Sequence, residues 1–405
     1  MPTTAPDISI PGSFPANPAT ARPPFGVNEV RLSWRQWLFA FAIFLICAVA
    51  LPKIWKRFEP FRTGPDYRMP YALSKDYWLY QRRLEQVADP RQIPILGDSV
   101  VWGEYVRADG TFSHFLNERS AQPGRFINCG VNGMFPLALE GLVKNYGATL
   151  KNRKIIVQCN VLWMSSPRAD LSSPKEQSFN HSRLVPQFGV RIPSYRADAN
   201  ERLSAVIENH VEFFEWIGHL QNAYFDQKSI PQWTLQDDGN DPPKYPNGWR
   251  NPLAQLKAGI PAEPAVDPQR GPASPRHKPW NADGAEAGDF EWVELDASLQ
   301  WQAFQRIVQM LHARGDDVLV IVGPFNEHMI AADQRATYHA MRSRIAAWLA
   351  KNGVAAVVPQ TLPSDLYADA SHPLTAGYAR LAREIWEQPA FRNWLGARNP
   401  KAASH

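Results

Sequence analysis

Short apolar runs at 93–96, 126–128, 155–157, 318–322 and 355–358 are mostly β-branched and bounded by turn residues, the pattern of strands buried in a parallel sheet. Between them, 111–118, 137–150, 299–313 and 332–351 carry apolar residues three and four apart, as amphipathic helices do. Strand and helix therefore alternate. This order predicts an α/β fold, a doubly wound parallel five-stranded sheet, in which ligands collect beyond the carboxyl ends of the strands.

A different pattern occupies the N-terminal part. Residues 37–51 contain no charged or strongly polar side chain. Fifteen helical residues span about 22 Å, short of a hydrocarbon core of about 30 Å, but Trp34, Ile54 and Trp55 extend the segment into the interface and Lys53 can snorkel. The expectation is an uncleaved transmembrane signal-anchor at 34–55. A buried core helix, or cleavage after Ala48-Val49-Ala50, are the alternatives. Arg22, Arg31 and Arg35 precede the run and Lys53, Lys56, Arg57 and Arg62 follow it, so the positive-inside rule does not decide orientation. Residues 1–33, rich in Pro, Ala and Thr at their start, are expected to be a disordered tail, with 56–90 a linker and lead-in helix and 396–405 a second tail.

Two of the strand-end loops carry reactive residue types. Ser99 follows the first apolar run in Ile95-Leu96-Gly97-Asp98-Ser99, and Asp369-Ala370-Ser371-His372-Pro373 follows the last. A serine hydroxyl needs a base to take its proton as it attacks a carbonyl, which suits His372. A carboxylate three residues earlier, Asp369, can hold the other ring nitrogen and fix the tautomer. Ser99, Asp369 and His372 are thus the catalytic candidates. Gly323-Pro324-Phe325-Asn326-Glu327-His328 lies on the same rim. Asn326 and Trp102 are candidate substrate-contacting residues, although a helix-entry turn and packing explain them as well, and Glu104 is placed to line the cleft.

These blocks resemble the SGNH/GDSL superfamily of ester hydrolases and O-acyltransferases. Gly97-Asp98-Ser99 matches its first block, and Asn128-Cys129-Gly130-Val131-Asn132-Gly133 its second, with Gly133 the corresponding glycine. Asp369-Ala370-Ser371-His372-Pro373, followed by Gly377-Tyr378, matches the last. The third block departs: where the family has Gly-x-Asn-Asp this chain has Gln158-Cys159-Asn160-Val161, keeping only the asparagine. The resemblance runs from about Arg91 to Trp386. It implies a flavodoxin-like SGNH domain over 91–395, an oxyanion hole from Ser99, Gly133 and Asn160, and cleavage of a carboxylic ester through an acyl-serine intermediate. Membrane-tethered members usually act on envelope polymers, which implies an extracytoplasmic (periplasmic) domain and an acylated carbohydrate or other ester as substrate. Acyl transfer to a sugar hydroxyl, or an inactive glycan-binding scaffold, remain alternatives. The family's strand order would put Cys129 and Cys159 about 9 to 10 Å apart on either side of the first strand, too far for a disulfide, leaving two free buried thiols.

The insertion at 165–289 has no counterpart in a minimal hydrolase of this kind. It predicts one amphipathic helix over 202–225, with Leu203, Val206, Ile207, Phe213, Phe214, Ile217 and Leu220 on a shared face and His210 and His219 read as packing or surface residues. Proline is frequent over 231–279, with Trp233, Trp249 and Trp280 interspersed, as in a lid, a substrate platform or a loop pinned by its tryptophans. Over 405 residues the formal net charge is only +4, and Lys and Arg are scattered, so nucleic-acid binding is not indicated. There is no internal repeat, no Cys/His cluster at zinc spacing and no phosphate-cradling glycine loop, so neither cofactor nor metal is expected.

Overall fold

A computed structural model describes residues 32–87, 89–225 and 277–397. The expected tail before residue 32, the segment carrying Trp233 and Trp249, and the tail beyond 397 lie outside the described residues. The chain divides into two units, Met1–Ala50 and Leu51–His405.

The first unit contains most of helix α1 (Trp34–Phe58), whose mean hydropathy of 2.3 over its most apolar stretch makes it long and apolar enough to cross a membrane. The helix outruns the expected end at 55 by three residues and passes through Pro52.

The second unit is built on one five-stranded sheet, all parallel, in the order β2-β1-β3-β4-β5. The strands are β1 (Ile93–Gly97), β2 (Phe126–Gly130), β3 (Lys154–Cys159), β4 (Asp317–Val322) and β5 (Ala355–Val357). All five expected runs are strands. Ladder pairing of β1 with β3 begins at Ile95, one residue after Pro94, which has no N–H to donate. Alternate strand residues face opposite ways, as a pleated sheet requires. Leu96, Ile155, Val157, Val318 and Val320 pack under helices α2 (Tyr77–Gln86), α5 (Pro136–Tyr146), α8 (Leu299–Ala313) and α9 (Arg335–Lys351). Ile93, Ile95, Ile156, Leu319 and Ile321 pack under α3 (Ser99–Trp102), α4 (Phe112–Arg119), α10 (Thr375–Glu387) and α11 (Pro389–Gly396). This is the doubly wound arrangement that the alternation implied.

Residues 56–90 are more than a lead-in. Phe61, Met69, Leu73, Tyr77, Leu79 and Leu84 join the core of the α2 face. Two buried arginines on α2 are held by acceptors: Arg82 by the Glu59 carboxylate, Arg83 by the carbonyls of Pro65, Tyr67 and Asn128.

The helix expected over 202–225 is two helices. α6 (Ala199–His210) opens with a capping box in which Asp198 and Glu201 satisfy each other's backbone N–H groups. The chain becomes extended at Val211 and restarts as α7 (Glu212–Tyr224). The break turns Asn209 toward Tyr146 and the carbonyl of Arg183, while Trp216 and His219 of α7 turn inward. Much of the expected apolar face is consequently exposed, including Leu203, Ile207 and Phe214. His210 is exposed, but His219 is fully buried between two carboxylates. Its Nδ1 lies 2.7 Å from Asp76 and its Nε2 2.8 Å from Glu59, with Arg82 and Tyr224 also bonded to Glu59.

Cys129 and Cys159 are free and buried, on β2 and β3 with β1 between them. Burial pushes the Cys129 thiol up to about 11 and Cys159 further still.

Candidate active site

In sheet order the chain runs from β1 outward to β2 and returns to β3 on the other side of β1, so a crevice opens beyond the carboxyl ends of β1 and β3. Ser99 stands at the end of β1 and Asn160 at the end of β3. β1 ends at Gly97, where a Cβ would come within 2.4 Å of Val101 and 2.7 Å of Gln158, so only glycine permits the tight strand-to-helix turn. Asp98 caps the single turn α3 by accepting from Val100 N at 2.9 Å, which sets Ser99 as its first residue.

His372 arrives from the loop before α10. Asp369 Oδ1 accepts from the backbone N–H groups of Ser371 (2.9 Å) and His372 (3.0 Å), folding the loop around its own carboxylate. Both carboxylate oxygens lie 2.8 Å from His372 Nδ1. A carboxylate only accepts, so Nδ1 carries the proton, and Nε2 is left to accept from Ser99 Oγ at 2.8 Å. Ser99, His372 and Asp369 thus form one continuous hydrogen-bonded chain across 273 residues of sequence separation. Burial raises the Asp369 pKa, but the His372 ring and the two backbone donors more than offset it and hold the carboxyl down at about 2.

The backbone N–H groups of Ser99 and Gly133 donate to no acceptor among the described residues. Gly133 has φ +71°, and a Cβ there would lie 2.3 Å from Asn180 Nδ2. Asn160 is fully buried. Its Oδ1 accepts from Leu162 N and its Nδ2 donates to Asp98 Oδ2 at 3.0 Å, leaving one amide hydrogen uncommitted. Asp98 Oδ2 also accepts from Trp163 Nε1 at 2.8 Å.

Two candidates have other work. Asn326 is completely buried: its N–H donates to Ala370 O (2.8 Å) and its Nδ2 to Asp369 O (3.2 Å). It holds the loop carrying Asp369. Trp102 is buried with Nε1 on Met69 O at 2.6 Å and the Arg68 guanidinium 4.2 Å from its ring centre, so it packs instead of lining the cleft.

Glu104 is the more informative neighbour. Its Oε2 is 3.6 Å from His372 Nε2 and accepts from Asn132 Nδ2 at 3.0 Å. Asn132 is held in turn by His181, whose Nε2 bonds its carbonyl at 2.8 Å. Tyr105, at φ +68°, sets its ring edge-on to His372 with centroids 5.3 Å apart. Position in the sequence beside Ser99 was the only signal for Glu104, a place in the second block the only one for Asn132, and Tyr105 gave none. No group of His, Cys, Asp or Glu able to hold a metal ion occurs among the described residues.

A scan against protein-family models and a search of curated proteins found no match to this chain.

Proposed function

We propose that this chain is a serine-dependent carboxylic ester hydrolase of the SGNH/GDSL kind, anchored by α1 with its sheet domain outside the cytoplasm and acting on an acylated envelope glycan. The observation that carries this reading is the chain of hydrogen bonds from Ser99 Oγ through His372 to Asp369. Chance juxtaposition of these residue types is common, but a correct tautomer held by a loop that folds around its own carboxylate is a specific arrangement.

In the first half-reaction Ser99 Oγ bonds to the ester carbonyl carbon while its proton passes to His372 Nε2. Asp369 stabilises the imidazolium. The oxyanion is met by the N–H groups of Ser99 and Gly133 and the remaining amide hydrogen of Asn160. Collapse breaks the bond to the alcohol, which leaves with the proton from Nε2. Water then gives a proton to Nε2 and attacks the acyl-serine. The carboxylic acid departs and Oγ recovers its proton. Loss of the usual Gly and Asp in the third block is compatible with this scheme because Asp98 supplies the acceptor that orients Asn160.

A second reading, acyl transfer, uses the same residues with a sugar hydroxyl in place of water. Glu104, with its carboxyl beside Nε2, can accept a hydrogen bond from that hydroxyl as it would from water. An inactive scaffold would have no need of the aligned Ser99–His372 pair.

The test is hydrolysis of p-nitrophenyl acetate by the full-length protein in detergent, beside Ser99→Ala. Loss of activity by at least about 10³-fold in the variant is expected. Equal rates in the two proteins would remove Ser99 from the mechanism.

A further inference from the structure

A cavity of about 310 Å³ opens beside Gly133. Leu137, Ala138, Leu171 and Val185 form its apolar floor, and the half-buried rings of Phe135 and Phe179 its walls. Three of these residues come from the segment after β3 that a minimal hydrolase of this kind lacks. Of the proposed site residues Gly133 lines it, whereas Ser99, Asn160, His372, Asp369, Glu104 and Tyr105 do not.

That asymmetry assigns the two halves of an ester, and it rests on the serine-esterase reading above. The leaving alcohol must sit at His372 Nε2 to receive its proton, on the side where Glu104, Asn132 and Tyr105 offer polar groups to hydroxyls. The carbonyl oxygen must point at the Gly133 N–H. The remaining substituent of the carbonyl carbon is the acyl chain, which points away from His372, and the apolar cavity that Gly133 borders can receive it. We infer that the cavity beside Gly133 is an acyl-chain pocket, so that this site takes an acyl group of several carbons in preference to acetyl. Asn180 also lines the cavity, and its amide is the atom against which a Cβ on Gly133 would collide. Arg168, Gln177 and Gln300 add polar groups to its lining.

The experiment compares kcat/KM of the full-length protein on p-nitrophenyl acetate, butyrate and octanoate. Each methylene buried in an apolar pocket favours the longer substrate by about tenfold or more. The expected profile rises at least tenfold from acetate to its best chain length. In Ala169→Trp, which puts an indole into the cavity wall, the ratio of longest-chain to acetate kcat/KM is expected to fall at least tenfold. Phe179→Ala, which strips a wall and leaves the floor intact, is expected to lower the same ratio, and supplies the test should Ala169→Trp fail to fold. Best activity on acetate, or a ratio unmoved by a folded variant, overturns the pocket assignment while the esterase reading stands. Full activity of Ser99→Ala on every chain length overturns the esterase reading itself.

Discussion

The Asp98 carboxylate receives the Asn160 side-chain amide at 3.0 Å, tying the residue before the candidate nucleophile to the end of the neighbouring strand. The same oxygen takes the Trp163 indole N–H, and the other oxygen caps the turn that begins at Ser99. Asp98→Asn would place an N–H₂ group against two donors if it turned one way, and would uncap α3 if it turned the other. We predict a fall in kcat of about 10- to 100-fold with Ser99 and His372 intact, and a loss of about 1–3 kcal/mol in urea unfolding. Unchanged kcat and midpoint would mean that Asn160 needs no such support.

Asp369 is held in its charged form and fixes the proton on His372 Nδ1. Asp369→Asn leaves a donor facing that nitrogen, so the ring turns over to the wrong tautomer. The expected loss is about 10⁴-fold in kcat. Because the folded pKa, about 2, lies below the ordinary carboxylate value of about 3.9, Asp369 stabilises the fold above that value and loses this contribution as pH falls toward 2. Acid unfolding of Asp369→Asn should therefore show a shallower pH dependence below pH 4.

Glu104 places a negative charge 3.6 Å from the nitrogen that must accept the Ser99 proton. Removing that charge in Glu104→Gln makes the imidazolium less favourable. The ascending limb of the kcat/KM profile should move to lower pH. A limb that stays in place would show the carboxylate to be electrostatically silent, whatever happens to the maximal rate.

His219 has two carboxylate partners and no acceptor role left to play, so both ring nitrogens donate and the ring is charged. Burial opposes the charge, but Asp76 and Glu59 override it and push the pKa up to about 9. Groups from three elements meet here: Glu59 after α1, Asp76, Trp78 and Arg82 at α2, and Tyr224 on α7. A raised folded pKa stabilises fully below the ordinary imidazole value of about 6.5 and the contribution disappears as pH climbs through 9. Thermal stability is expected to decline from pH 6.5 to 10 by an amount on the order of 3 kcal/mol. In His219→Gln the starting stability should be lower and the decline absent. A parallel slope in both proteins would place the titration elsewhere.

What could be seen in advance followed from how locally each feature is encoded. Val318 to Val322 reads as a buried strand because nothing but a doubly covered sheet wants five consecutive aliphatic residues between turns, and Ser99 and His372 stood out because each sits in a compact run of unusual chemistry. The helix α2 was harder, because Arg82 and Arg83 look like solvent-facing residues until Glu59 and the carbonyls that receive them are in place. The break at Val211 has no proline or glycine to announce it. It follows from the partners of Asn209 and His219, which lie far away in the chain. The same holds for Asn326, whose amide serves the backbone of Asp369, 43 residues on. Side chains that act through a distant partner leave no local trace.

The placement of Cys129 and Cys159 on either side of β1 has a practical consequence. Sealed in the core on the α2 face of the sheet, and held in the protonated state by burial, neither sulfur can meet an aqueous thiol reagent while the sheet is intact. Modification must await wholesale opening of the domain. The two atoms are therefore native timers of denaturation, and the speed at which Ellman's reagent consumes them in the Cys47→Ala protein reads how often the central strand comes free.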